Sequence, residues 1–381
     1  MTSYAAICAF PNFMNPGMLS VDLAVATFFR KHLPQAQLTL FNAELPIEIR
    51  SKDHSLVHEL YRSPEQLREY DCVLYWGDFL HWLRYATTDW TQRVSERDPS
   101  QSQQQAIDLW YRLFLLEGES AALHEKTLVF GGTLYGSNGK EWGDTRYRAA
   151  LTALYRSAPL VLMRDALSAA FVDTITALPR SALGCDCALL LDADAVLPMA
   201  WAAASVRTGL PERYVVCGLG RSGNQAELWN FANAIATAYK LPLINIDWLQ
   251  SVDGLGDLAG RIAAIRGAEL VITDIYHMSV TGWREKVPVI GIGRAVSYGR
   301  VTLDDKKKEV FFRQIMASHL YCYVEDILRA KGDELLLRGL VRRLVSAASG
   351  EREQGAVADF IARQIAHAEA RLLSALTRSG D

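Results

Sequence analysis

The chain has 381 residues, half of them hydrophobic and 22% charged, with a formal net charge of -3. That length exceeds what one hydrophobic core organises, so two domains are expected, and the composition excludes a disordered chain. A near-neutral balance argues against a surface built to grip nucleic acid, while local basic clusters remain able to hold a small anion.

The first ten residues lack the basic start and apolar core of a signal peptide, and the apolar runs at 189–191 and 289–292 are too short to span a bilayer. A cytoplasmic protein without a transmembrane segment is expected, with peripheral membrane contact left open. Of the six cysteines (Cys8, Cys72, Cys185, Cys187, Cys217 and Cys322), most sit in apolar stretches, as buried free thiols do. Cys185-Asp186-Cys187 has no second cysteine pair or nearby histidine to complete a zinc site, so no metal is expected.

Short apolar runs alternate with longer helical patterns, the signature of parallel sheets covered by helices. The first series places strands at 5–10, 38–41, 72–75, 128–130, 160–163 and 188–191. The polar stretch 95–105 reads as a loop feeding a helix over 107–116. After the Ala-rich segment 193–211, a second series places strands at 214–217, 243–246, 270–273, 289–291 and 320–323. A final helix carries Val357, Phe360, Ile361, Ile365, Leu372 and Leu376 at helical spacing. The organisation expected is an N-terminal Rossmann-like domain over 1–200, a second over 201–345 and a C-terminal helix over 346–381.

In open parallel sheets ligands bind beyond the carboxyl ends of the strands, so the chemistry is expected there. The strand at 270–273 leads into Asp274-Ile275-Tyr276-His277: Asp274 is placed to cap the next helix, and His277 falls in its first turn. His277 either exchanges a proton in the cleft or packs against its own sheet. The strand at 160–163 runs into Arg164 and Asp165. Asp165 reads as a helix cap, and Arg164 as a planar fork for an anion or as one half of an interface ion pair.

Gly218-Leu219-Gly220-Arg221-Ser222-Gly223 follows a strand and precedes a helix, with Asp247 ending the next strand. That is the layout of a dinucleotide site, although Asp247 lies later than the fingerprint asks, and a single phosphate or sugar would suit the loop equally. Gly218, Gly220, Arg221 and Ser222 are its candidate binding residues. Arg294, Arg300, Lys306, Lys307 and Lys308 form a basic run that is either a solvated helix face or, through Arg294 and Arg300, a second anion grip. Asp78, after the strand at 72–75, either binds hydroxyls or caps a helix.

Taken in order, these elements resemble the polysaccharide pyruvyl transferase family. Arg164-Asp165 with Ser168 is similar to its arginine-aspartate-serine element, Cys185-Asp186-Cys187-Ala188 to its D-x-A segment, and Asp274 to His277 with Pro288 to its histidine signature. Ile275 stands where the family carries arginine, and the N-terminal loop reads Asn15-Pro16-Gly17-Met18-Leu19-Ser20. The resemblance implies a GT-B-like fold of two Rossmann-like α/β domains facing a central cleft, with acceptor on the first domain and donor on the second. It implies phosphoenolpyruvate as co-substrate, a saccharide or glycoconjugate as acceptor, and transfer of a pyruvyl group to form a ketal. His277 would then supply the proton, while Arg164 and one of Arg294 or Arg300 would hold the anion. Three other readings stand beside it: a GT-B-type nucleotide-sugar glycosyltransferase, a non-catalytic binding or assembly protein, and an NAD-dependent oxidoreductase.

Overall fold

Aliphatic runs buried on both faces form two separate sheets. The computed structural model describes residues 2–8, 15–44, 46–51, 54–134, 139–177, 183–197, 210–249, 254–295 and 303–378. The first sheet contains β1 (Ser3–Cys8), β2 (Gln37–Asn42), β3 (Ile47–Ser51), β4 (His54–Leu60), β5 (Cys72–Asp78), β6 (Thr127–Gly132) and β7 (Leu160–Met163). Their order is β3-β4-β2-β1-β5-β6-β7, parallel throughout except for β3, which runs antiparallel to β4 at the edge. The second sheet is wholly parallel, with β8 (Val215–Gly218), β9 (Leu243–Asn245), β10 (Leu270–Thr273), β11 (Val289–Gly293) and β12 (Tyr321–Tyr323) in the order β12-β11-β10-β8-β9.

Both orders reverse direction once, between β1 and β5 and between β8 and β10. Such switch points leave a crevice at the carboxyl ends of the strands, where adjoining loops diverge. The chain is thus two Rossmann-like α/β domains in a GT-B-like fold.

Helices cover the sheets, and side-chain caps start several of them. In α1 (Pro16–His32), Asn15 accepts from the Gly17 N–H at 3.0 Å and Pro16 occupies the first turn. Ser102 and Gln105 form a capping box on α2 (Gln103–Leu115), Asp144 caps α3 (Thr145–Ser157), and Asp165 caps α4 (Ala166–Thr176). The second domain supplies α5 (Gln225–Tyr239), α6 (Gly254–Arg266), α7 (Tyr276–Arg284) and α8 (Leu303–Gln314). Then α9 (Glu334–Ala348) packs on α5 and β11 of that domain, whereas α10 (Glu351–Arg378) returns to β7 of the first. There Tyr4 Oη donates to the Leu376 carbonyl at 3.2 Å, and Gln364 Nε2 to the Gly184 carbonyl at 2.7 Å.

The strand expected at 188–191 is a 3-10 turn, Cys187–Leu190. Asp186 accepts from the Ala188 N–H at 2.9 Å, a local bond that competes with a sheet ladder. The edge pair β3–β4 was not expected, because its alternation is carried by mixed polar residues such as Glu48, His58 and Glu59. The Ala-rich segment 193–211 between the two series and the expected boundary at residue 200 fall mostly outside the described residues. Among the described residues no helix is long and apolar enough to cross a membrane.

Candidate active site between the two sheets

Two strand ends and one 3-10 turn of the first domain converge on the cleft. β7 delivers Arg164 and Asp165. The Asp165 carboxylate accepts from the Ser168 N–H at 2.8 Å and from the Thr133 and Ser168 hydroxyls at 2.7 Å each, so it is occupied in building the loop. β5 delivers Asp78, which sits at φ 50 and caps no helix; it faces Arg164 Nη1 at 3.6 Å. Asp186, ahead of its 3-10 turn, lies 3.4 Å from the same nitrogen. Gly131 (φ +70) lets that turn come close, since a Cβ there would stand 2.2 Å from Cys187 Sγ.

The second domain contributes β10 and its exit. Asp274 does not cap α7: that position is taken by Ile275, and no side chain caps it. The Asp274 carboxylate instead turns to the glycine loop, accepting from the N–H groups of Gly220, Arg221 and Ser222 at 2.9, 2.8 and 2.6 Å. Adjacent pairing of β10 with β8 makes this reach short. The expected anion seat is therefore filled by the protein's own carboxylate. A dinucleotide pyrophosphate has no place on those three amides, which corrects the NAD-type reading, and Asp247 accepts locally from the Leu249 N–H.

Arg294 also serves the loop, donating to the Ser222 carbonyl at 3.0 Å and to Asn224 Oδ1 at 2.8 Å, with Glu325 3.5 Å from its Nη1. Arg300 lies outside the described residues. Gly218 ends β8, where a Cβ would stand 2.4 Å from Met278 Sδ. In the basic run, Lys308 is wholly buried against Asp305 (3.3 Å) and Ser222 Oγ (3.4 Å), so the run is no simple solvated face.

Across the cleft, Tyr276 Oη donates to Asp186 at 3.1 Å. The Arg164 guanidinium lies between the rings of Phe79 and Tyr276, 5.4 and 5.1 Å from their centroids, and Lys307 Nζ lies 3.6 Å from that of Phe79. Gln314 closes the wall, accepting from the Ala166 N–H and donating to the Arg164 carbonyl, both at 3.1 Å. Two atoms here are buried without a hydrogen-bond partner among the described residues: Arg164 Nη2 and His277 Nε2.

Burial lowers the pKa of His277; Asp186 and Asp78 pull it up, while Arg164 and Lys307 push it down, and the net direction is down. Burial therefore favours the neutral form of the imidazole. Burial opposes the charge on Arg164, but Tyr276 and the carboxylates of Asp186, Asp78 and Asp165 more than offset it, so its pKa rises and it stays cationic. Sequence reasoning picked out Arg164, His277 and Asp78 from their strand-end positions. It missed Asp186, Tyr276, Lys307 and Gln314 as cleft residues, because the packing of the Cys187–Leu190 turn on Gly131 brings Asp186 there and the closing of one domain on the other brings the rest.

No family model matches the chain, and no curated protein matches it. Among solved structures it is similar to the UDP-GlcNAc 2-epimerase of Methanocaldococcus jannaschii, at 10% identity over 96% of this chain and 100% of that one, with a TM-score of 0.46. It is similar to the UDP-GlcNAc 2-epimerase of Neisseria meningitidis bound to UDP-GlcNAc, at 8% identity over 96% and 100%, with a TM-score of 0.46. A putative UDP-N-acetylglucosamine 2-epimerase from Listeria monocytogenes gives 11%, 97% and 97%, with a TM-score of 0.43. At such identities the likeness says nothing of the reaction. The expected kinship with polysaccharide pyruvyl transferases is corrected here: no such family model matches, and these similar structures are described as epimerases of a sugar nucleotide. Phosphoenolpyruvate as co-substrate, the pyruvyl transfer and its saccharide acceptor go with it.

Proposed function

We propose that the cleft binds and transforms a nucleotide sugar, as a GT-B-type glycosyltransferase does. Arg164 and Lys307 would meet the diphosphate, Asp78 and Asp186 the sugar hydroxyls, and neutral His277 would accept the proton of an attacking hydroxyl. The observation that carries this reading is the pair of buried atoms, Arg164 Nη2 and His277 Nε2, left without partners in one interdomain cleft. Buried polar atoms are nearly always paired, so two orphans at the carboxyl ends of strands facing one cleft point to a ligand. With Tyr276 and Gln314 bridging the walls, the ligand enters only when the domains part.

Calorimetric titration tests the proposal. UDP-GlcNAc, the ligand of the Neisseria meningitidis structure, is the first probe, followed by other nucleoside-diphosphate sugars. Arg164→Lys keeps the charge but loses the fork, and is expected to weaken binding about tenfold or more. His277→Gln is expected to keep binding and to slow release of the nucleoside diphosphate by about 10²–10⁴-fold. If no nucleotide sugar binds at concentrations up to about 1 mM, the proposal fails. The filled glycine loop favours a second reading, a protein that binds without turnover; binding by the wild type with no diphosphate released selects it.

A further inference from the structure

Away from the cleft, the first domain buries three side chains that carry metal-ligand atoms. Cys8 ends β1, Asp22 lies on the sheet-facing side of α1, and His58 lies on β4. The sheet register explains their meeting. Ala6 pairs with Leu40 and Leu40 with His58, so Ala6, Cys8, Leu40, Leu56 and His58 share the face that α1 covers. Asp22 comes down on that face from α1. Cys8 and His58 are 0% exposed and Asp22 1%, and their ligand atoms all lie within 4.8 Å of one another.

Neither oxygen of Asp22 and neither ring nitrogen of His58 makes a well-aligned hydrogen bond among the described residues, and the Cys8 thiol interacts with the Asp22 carboxylate. His58 Nε2 stands 3.3 Å from Asp22 Oδ2, yet both atoms remain without a hydrogen bond, so they approach without being aimed at each other. Lone pairs converging on a common third point produce that relation. In a tetrahedral zinc site with Zn–N and Zn–O bonds of about 2.0–2.1 Å, the N···O edge is about 3.3 Å. A buried carboxylate and imidazole that meet without a well-aligned hydrogen bond recover only part of a desolvation cost of several kcal/mol.

We infer that Cys8, Asp22 and His58 form a buried site for a zinc-type divalent cation. The charges balance: one thiolate and one carboxylate neutralise the cation, and neutral His58 completes three protein ligands. Sulfur, nitrogen and oxygen together suit borderline-soft zinc rather than magnesium or calcium, which take oxygen ligands. The cation would pin α1 to β1 and β4. Because Gly17 on α1 packs against His277, that pin also steadies one wall of the cleft. The inference stands independently of the reaction proposed for the cleft.

The test uses the full-length chain expressed in zinc-supplemented medium, freed of loosely held metal and analysed by plasma mass spectrometry. About one zinc per chain is expected. Removal with a strong chelator should lower the thermal midpoint, and zinc alone should restore it. Cys8→Ser, Asp22→Asn and His58→Gln should each weaken zinc binding by more than about 100-fold, since even outer-shell changes cost 10–100-fold. Should these buried variants fail to fold, cobalt binding by the wild-type chain decides, because tetrahedral Co(II) bound by Cys8 gives a thiolate charge-transfer band. Substoichiometric metal, no thermal response to zinc and no charge-transfer band with cobalt would overturn the inference.

Discussion

Arg164 shows how one side chain serves two purposes at once. Its Nη1 stands between Asp78 and Asp186, and its ring contacts hold the plane of the guanidinium, while Nη2 stays open. Arg164→Met would leave two acidic groups facing each other without a counter-charge, so chemical unfolding should show a loss of about 3–5 kcal/mol. His81 is a second residue with a measurable signature. It is buried, with Nδ1 3.0 Å from Tyr155 Oη, and burial drops its pKa from 6.5 to about 3. The folded state therefore binds fewer protons than the unfolded one between those values. The stability His81 contributes is complete above pH 6.5 and is lost as pH falls towards 3, at up to about 1.4 kcal/mol per pH unit. Unfolding free energies between pH 7 and 4 should show this slope in the wild type and about one proton less of it in His81→Gln. Nothing in the sequence marked His81, since its lowered pKa follows from packing against Tyr75 and Tyr155 and from no local pattern.

Between elements, the strongest local construction is Asp274 holding the loop that joins β8 to α5. Reading the sequence placed the glycine loop correctly after its strand but made Asp274 a helix cap. Spacing alone allows both roles, and the adjacency of β10 and β8 chooses. Asp274→Ala would strip three N–H groups of their acceptor and should destabilise the second domain by about 3–5 kcal/mol in denaturant unfolding. Asp274→Asn, which retains one acceptor oxygen, should lose less. The contact of α1 with α7 gives another test. A Cβ on Gly17 would stand 2.4 Å from His277 Nδ1 and 2.9 Å from its Cβ, leaving the ring little freedom to yield. Gly17→Ala should displace His277 and cost about 1–3 kcal/mol, read as a lower thermal midpoint and a shifted imidazole resonance.

For the whole molecule, the two domains are joined by the return of α10 to the first domain and by hydrogen bonds across the cleft. Tyr276→Phe with Gln314→Ala removes three of those bonds: Tyr276 to Asp186, Ala166 to Gln314, and Gln314 to Arg164. The strand ladders of the two sheets are separate, so small-angle scattering should show a larger radius of gyration while far-ultraviolet dichroism stays unchanged. An unchanged radius would mean that α10 and the contacts around α1 suffice to hold the closed form.

The sequence by itself determined the two α/β series, most strand positions, and the placing of Arg164, Asp78 and His277 at strand ends. Those features follow from short apolar runs, helical periodicity and capping residues, which act over a few neighbouring positions. Tertiary structure alone decided which groups meet. It filled the glycine loop with Asp274, brought Asp186 and Tyr276 together across the cleft, lowered the pKa of His277 by burying it, and gathered Cys8, Asp22 and His58 under α1. Each of these depends on strand order or on one domain closing over the other. Both are set by contacts between residues far apart in the chain, which no local pattern encodes.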